Sequence, residues 1–393
     1  MKKFFSLLLC IIFIFISVAA LTVIKKYIDN PDENHIANIL ETEPPQELTD
    51  IGSPYKFYYN RLSDIEKHAY NDILTEIYSM PESIKIPRID VEQLDNVFSA
   101  LLRDNPDLFF VGRKCTLLTE VFKTSCFIEY IFEKDEYEER KAELEKVCNE
   151  VVSSLSDPND EWQTELEIHD YIVDNCRYML VENEHVYSSA YGALVNGEAA
   201  CEGYSKAAKL LFDRAGIESA VLSGKSKSYN GKEGPHMWNA VKISGNYYYL
   251  DCTWDDPINE DGDNVKIYAY FNLSNGMIAD THSDFSYSFD CSETAENYYV
   301  KTGKYFETYS RENENRLAEL LARELEAGNG SVEIRFGSKT AYNNAVDDLI
   351  DGGRIYDVLS LTKSKTKVRF SINSLTYFVD PTLRTMTIVP ERR

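Results

Sequence analysis

Between Ala199 and Asp256 lie three side chains suited to act on one another: Cys201, His236 and Asp251, 35 and then 15 residues apart. Their surroundings constrain the fold more than any other stretch. From Glu202 onward, Ala207, Ala208, Leu210, Leu211 and Ala215 form an apolar helical stripe, and Gly216 is a C-terminal stop. Cys201 therefore heads a helix, where unpaired N–H groups and the helix dipole favour a thiolate. Ile217 to Ser223 reads as a strand, Gly224 to Pro235 as a polar loop, and His236 to Ile243 as a second strand. Ser244-Gly245-Asn246 is a turn and Tyr247 to Asp251 a third strand. A turn centred on Ser244-Gly245 sets Asp251 opposite Trp238 and diagonal to His236, about 7–8 Å away at the backbone. A three-residue turn would reverse that parity. Taken singly, a lone cysteine is more often a buried structural residue, and a hairpin with a polar group at each end is ordinary. The three positions together point to an aspartate that orients a histidine, which in turn deprotonates a thiol.

The residues at these positions read Cys201-Glu202-Gly203-Tyr204-Ser205-Lys206-Ala207, Gly234-Pro235-His236-Met237-Trp238-Asn239 and Tyr248-Tyr249-Leu250-Asp251-Cys252-Thr253-Trp254. Ile168-His169-Asp170-Tyr171 and Arg177-Tyr178 precede them. In these motifs, from Glu161 to His282, the chain resembles the transglutaminase-like superfamily, and within it a secreted bacterial branch. The resemblance implies an α+β, papain-like core in which a helix bears the cysteine and a hairpin or sheet bears histidine and aspartate. It implies a triad of Cys201, His236 and Asp251, acyl transfer through a thioester, and no cofactor. It also places Phe271-Asn272-Leu273-Ser274 in the closing part of the core, with His282 beside the cleft. The chain departs from the pattern at Ala199-Ala200, where many members have glycine close before the cysteine. It departs again at Met237, often alanine, which is expected to narrow the cleft. The Cys201 N–H is the expected oxyanion donor, with Tyr178 or Tyr191 as side-chain candidates. Glu202, Trp238 and Trp254 are further cleft candidates. The expected substrate is a protein or peptide amide, and the thioester acceptor is water or an amine. Two other readings stay open: a cysteine peptidase or amidase acting on cell-wall peptides, and a surface binding module with an unused triad.

A formal net charge of −24 argues against a nucleic-acid partner, which requires a basic surface. Lys2 and Lys3 precede a run without charge from Phe4 to Ile24, closed by Lys25 and Lys26. That run exceeds the usual apolar core of a signal peptide and is long enough to span a bilayer. Residues 1–26 are read as a signal-anchor in preference to a signal peptide cleaved after Val18-Ala19-Ala20. Cys10, after Leu9, is a poor lipoprotein context. An extracytoplasmic protein, anchored or secreted, is expected. Residues 27–49, with Pro31, Pro44 and Pro45, read as a tether.

Beyond Cys10 the cysteines are 115, 126, 148, 176, 201, 252 and 291, an odd set without a C-x-x-C pair. This leaves at least one thiol unpaired within the chain and argues against zinc. Cys252, at a strand end, is the rival to Cys201.

Two small α+β domains are expected to flank the core. In residues 50–155, Leu62–Tyr78 and Val91–Asp104 read as helices, with Ser63 and Glu66 as a capping box. Phe109–Val111, Cys115–Phe122 and Cys126–Phe132 read as strands and Tyr137–Leu155 as a helix. The core, 156–298, opens with a helix over Glu161–Asn175. His169 and Asp170, adjacent in it, are expected to point apart. Asp255-Asp256 and the acidic run to Asn264 read as a solvated turn, because the calcium-loop spacing is absent. Tyr268–Leu273 reads as a strand. In residues 299–393, Glu312–Ala327 and Ala341–Ile350 read as helices, and Val332–Phe336, Val368–Phe378 and Thr385–Val389 as strands. No metal site is expected.

Overall fold

The computed structural model describes residues 51–119, 124–181, 184–227, 231–257 and 266–392. The apolar N-terminal run and the tether lie outside these residues. In chain order the elements are α1 (Asp64–Ile77), β1 (Ile84–Ile86), α2 (Val91–Asp104), β2 (Val111–Thr119), β3 (Thr124–Tyr130), α3 (Lys134–Ser154), α4 (Glu161–Asn175), β4 (Arg177–Tyr178), β5 (Glu198–Ala199) and α5 (Cys201–Ala215). Then come β6 (Ser219–Lys227), β7 (Glu233–Ile243), β8 (Asn246–Leu250), β9 (His282–Ser283) and β10 (Tyr305–Phe306). The chain continues through α6 (Glu314–Ala327), β11 (Val332–Phe336), α7 (Lys339–Ala345), α8 (Ile355–Lys365), β12 (Phe370–Asp380) and β13 (Thr385–Arg392).

Local chemistry accounts for the element starts. Ser63 and Glu66 form the expected capping box on α1, and Asp90 accepts from the Gln93 N–H at 2.8 Å to start α2. Helix α5 ends at Gly216, whose φ of +80° suits a residue without a Cβ.

The sheets are β1-β3-β2, the parallel pair β4-β5, the four-stranded β8-β7-β6-β9, and β10-β11-β13-β12. The central sheet packs Leu222, Trp238, Ala240 and Tyr249 against Tyr270, Leu273, Ile278 and Phe289. A second core joins Leu317, Leu321, Val358 and Leu359 of the C-terminal helices to Ile334, Phe336, Met386 and Ile388 of its sheet. Thr49–Arg393 cluster as one compact unit. Within it, Tyr58 Oη donates to the Val221 carbonyl at 2.6 Å, and the buried Arg335 donates to the Ala269 carbonyl at 2.7 Å.

Several expectations need correction. The polar loop over 224–235 is mostly strand, because β6 and β7 pair continuously from Ser219↔Val241 to Lys227↔Glu233. Polar residues fit there because the far half of this ribbon is exposed on alternate positions. Tyr268–Leu273 forms no strand and contributes one bridge, Tyr249↔Leu273. Asp255 and Asp256 are buried rather than solvated. Asp255 meets His169 at 3.2 Å, and Tyr204 Oη donates to Asp256 at 2.6 Å. The rest of that acidic run, 258–265, lies outside the described residues. His169 and Asp170 do touch, at 3.0 Å, since a short aspartate can bend back to the preceding imidazole. Helix α8, unforeseen in the sequence, owes its stability to Ile355, Val358, Leu359 and Thr362 buried against the C-terminal core.

Candidate active site

The thiol is placed by the start of α5. Ala200, its N-cap, supplies no side-chain acceptor, so the Cys201 and Glu202 N–H groups at the helix start lack intrahelical partners. Gly203 lets this first turn lie close to its neighbours. A Cβ there would stand 2.7 Å from the Ala199 Cβ and 2.8 Å from the Tyr187 carbonyl oxygen. Cys201 is half-buried. The parallel pairing Tyr178↔Ala199 brings Tyr178 beside it. Burial raises the Tyr178 hydroxyl pKa, and the nearby Cys201 and Asp251 side chains add to that.

The imidazole is placed by β7. Asn239 Nδ2 donates to the Ser205 carbonyl at 2.9 Å and so ties β7 to the first turns of α5. His236 and Trp238, two apart, share a face, and their rings stack at 5.9 Å between centroids with 21° between planes. Met237 lies on the other face of the sheet from His236 and is half-buried. Trp254 also packs against the His236 ring, 5.8 Å between centroids and tilted by 54°.

The carboxylate is placed by a two-residue turn. Ser244 and Gly245 adopt φ of +52° and +84°, which suits a tight hairpin. The register then runs from Ile243↔Asn246 to Asn239↔Leu250, so that Asp251 follows opposite Trp238 as its sequence position requires. His236 Nε2 and Asp251 Oδ2 are 2.6 Å apart. Asp251 Oδ1 accepts from the Thr253 and Trp254 N–H groups at 3.0 and 3.2 Å.

These contacts fix the charges. Burial alone would lower the His236 pKa. The Asp251 charge and hydrogen bond outweigh it, with a further contribution from the Cys201 side chain, and raise it to about 10. Burial would raise the Asp251 pKa, but His236, and then His282, hold it far below the usual carboxylate range. With Nε2 committed to Asp251, Nδ1 is the nitrogen left for Cys201.

The other candidates are distributed unevenly. Glu202, half-buried, pairs with Lys206 at 2.9 Å and Arg113 at 2.5 Å. Burial would raise its pKa, and these two cations lower it instead. Tyr191 turns toward α3, where its hydroxyl donates to Glu143 at 2.5 Å and accepts from Arg140 at 3.2 Å. Cys252 is buried, and its thiol is pushed well above the ordinary range by burial and then by the Asp255 and Asp251 charges. The fourth residue of the cluster is His282, for which sequence reasoning indicated only a place by the cleft. Its Nε2 lies 3.1 Å from the same Asp251 Oδ2, and its Nδ1 lies 2.9 Å from Thr281 Oγ1. Gly224 was also missed. A Cβ there would meet the Ser283 carbonyl oxygen and Trp238 Cη2, each at 2.6 Å. Its absence lets β9 and the indole meet over β6.

Residues 145–252 match the sequence model of the transglutaminase-like superfamily. No curated protein matches the chain. Among solved structures, the chain is similar to a TGase at 14% identity, over 42% of this chain and 48% of that one, with a TM-score of 0.26. It is similar to a candidate cysteine protease from Cytophaga hutchinsonii at 13% identity, over 39% and 65%, with a TM-score of 0.25. A candidate protease from Parabacteroides distasonis gives 10% identity, 40% of each chain and a TM-score of 0.22. The chain thus spans less than two thirds of each of these proteins. The segment that matches the transglutaminase-like superfamily model, 145–252, contains Cys201, His236 and Asp251.

Proposed function

We propose that the protein is a thiol acyl-transfer enzyme acting on protein or peptide amides. The observation that carries this reading is the 2.6 Å His236–Asp251 contact, set beside a cysteine at a helix start. The Cys201 thiolate attacks the amide carbonyl, and the C–N bond breaks as His236 gives its proton to the departing amine. The resulting thioester accepts water or a second amine, whose proton returns to His236, and the C–S bond then breaks. Asp251 keeps the imidazole oriented and stabilises its charged form. The Cys201 N–H and the Tyr178 hydroxyl are the donors for the oxyanion, and one such donor contributes about 100- to 1000-fold. Transferase and hydrolase share this chemistry and differ only in the acceptor. The uncharged run Phe4–Ile24 supports an extracytoplasmic, membrane-anchored setting for it.

The test uses the full chain in detergent with a glutamine-containing protein and a fluorescent primary amine. Amine incorporation identifies a transferase; ammonia release or new amino termini without incorporation identify a hydrolase. Cys201→Ala is expected to abolish every one of these signals, and any that survives contradicts the proposal.

A further inference from the structure

A buried carboxylate accepts hydrogen bonds and donates none. Asp251, ionised and 1% exposed, therefore receives an N–H from each imidazole that touches its Oδ2. His236 donates from Nε2 at 2.6 Å and His282 from Nε2 at 3.1 Å. The His282 side chain has no exposed surface and sits 5.4 Å, ring to ring, from His236. Burial and the His236 charge hold it neutral against the pull of Asp251. A neutral imidazole with its proton on Nε2 presents a lone pair at Nδ1, and Thr281 Oγ1 lies 2.9 Å from it. The same hydroxyl lies farther, 3.3 Å, from its other acceptor, the Ile278 carbonyl oxygen. Among the described residues, the titratable groups that meet His282 are Asp251, His236 and Tyr270, and the rings of Trp238 and Trp254 also pack against it. The backbone pairing Ser226↔His282 anchors it on β6.

We propose that His282 is a positioning residue for the acid–base pair, and that with Thr281 it forms a second, neutral arm that grips the same Asp251 oxygen as His236. The proposal rests on the thiol–imidazole reading given above. With four donors, two backbone and two imidazole, the carboxylate is fixed in rotation, so its charge stays directed at His236. Without the His282 N–H, Oδ2 keeps one partner, Asp251 is held ionised less firmly, and His236 loses part of its fixed counter-charge. The thiolate then loses part of its imidazolium.

The experiment follows alkylation of Cys201 by iodoacetamide from pH 5 to 10, read by mass spectrometry of the full chain in detergent. Wild type is expected to react well below the free thiol pKa of about 8.5, and His236→Ala is expected to abolish that reactivity. His282→Leu is expected to move the acid limb up by about one pH unit, a roughly tenfold loss of rate below it. His282→Gln, whose amide donates from a similar place, is expected to recover most of that loss. Thr281→Val, which keeps the imidazole, is expected to shift the limb the same way by about threefold in rate, and it serves if the leucine variant does not fold. Nitrogen NMR is expected to show His282 neutral with its proton on Nε2. An unshifted limb in folded His282→Leu or in Thr281→Val, equal shifts for leucine and glutamine, or a proton on Nδ1 would overturn the proposal. A wild type without the low-pH limb, or a limb that survives His236→Ala, would instead overturn the underlying reading.

Discussion

Asp251 bears more of the site than any other single side chain, because each of its oxygens meets two donors in a buried setting. Replacing it by asparagine removes the counter-charge that raises His236, so the imidazole pKa should fall from about 10 toward its ordinary 6.5, as read by NMR titration. Breaking a buried pair from one side costs about 3–5 kcal/mol, so the variant should also be markedly less stable at neutral pH in urea. The pH dependence has a definite sign. His236 gains affinity for its proton on folding, so its contribution is fully present below about pH 6.5 and is lost as pH rises through about 10. Asp251 is lowered on folding, so its contribution is present above about pH 4 and is lost in acid. The wild-type advantage over Asp251→Asn should therefore be largest between these limits. The place of Cys201 at a helix start and the meeting of His236 with Asp251 were legible in the sequence because a helix start and a two-residue turn leave strong local marks. The link from His282 to Asp251 was not, since 31 residues separate them and their meeting depends on how β9 returns to β6.

Helix α5 and the β7–β8 hairpin divide the positioning between them. Two glycines, Gly203 inside α5 and Gly216 just past its end, separate geometry from stability. Gly203→Ala places a methyl against the backbone of Tyr187 and the Ala199 side chain, and overpacking of this kind costs about 1–3 kcal/mol. Because the strain falls in the turn that carries the thiol, Cys201 alkylation should slow as well. Gly216→Ala meets open space and bears only the left-handed backbone cost of about 1–2 kcal/mol, so it should lower the urea midpoint and leave Cys201 reactivity unchanged. Helix α5 itself was readable from its apolar spacing, and so were α2 and α4, whose ends fall where the sequence placed them. The β6–β7 ribbon was under-read because its polar outer half looks like a loop when neighbours across the sheet are unknown. Tyr268–Leu273 was over-read for the opposite reason: its aromatic residues favour a strand, but their burial is met by packing against the sheet rather than by joining it.

Across the molecule, buried charges tie distant stretches together. The Lys209 ammonium, on α5, donates to Ser53 Oγ at 3.1 Å, the Tyr55 carbonyl at 3.2 Å, Asp213 at 3.0 Å and the Ser219 carbonyl at 3.2 Å. Burial raises Asp104 and Asp213 to about 6 each, and Lys209 opposes that rise in both. Lys209→Met should cost about 3–5 kcal/mol at neutral pH, because it breaks the buried Lys209–Asp213 pair and removes the cation that Asp104 also feels. Carboxylates raised on folding lose stability as pH climbs from about 4 to their folded pKa, so the penalty should shrink at pH 5 relative to pH 7.5. No sequence pattern announces such a hub, since a lysine in a helix normally reads as solvent-facing. The short strand β9 bears on where the polypeptide can be cut. It arrives 30 residues after the matched segment ends at Cys252, and with it come the residues that cover Trp238 and Tyr249. A recombinant fragment trimmed to residues 145–252 would contain all three triad side chains, yet leave β6 with an open edge and a bare aromatic face. Such a fragment is expected to aggregate on expression, whereas boundaries at Thr49 and Arg393 preserve the unit that makes the triad usable.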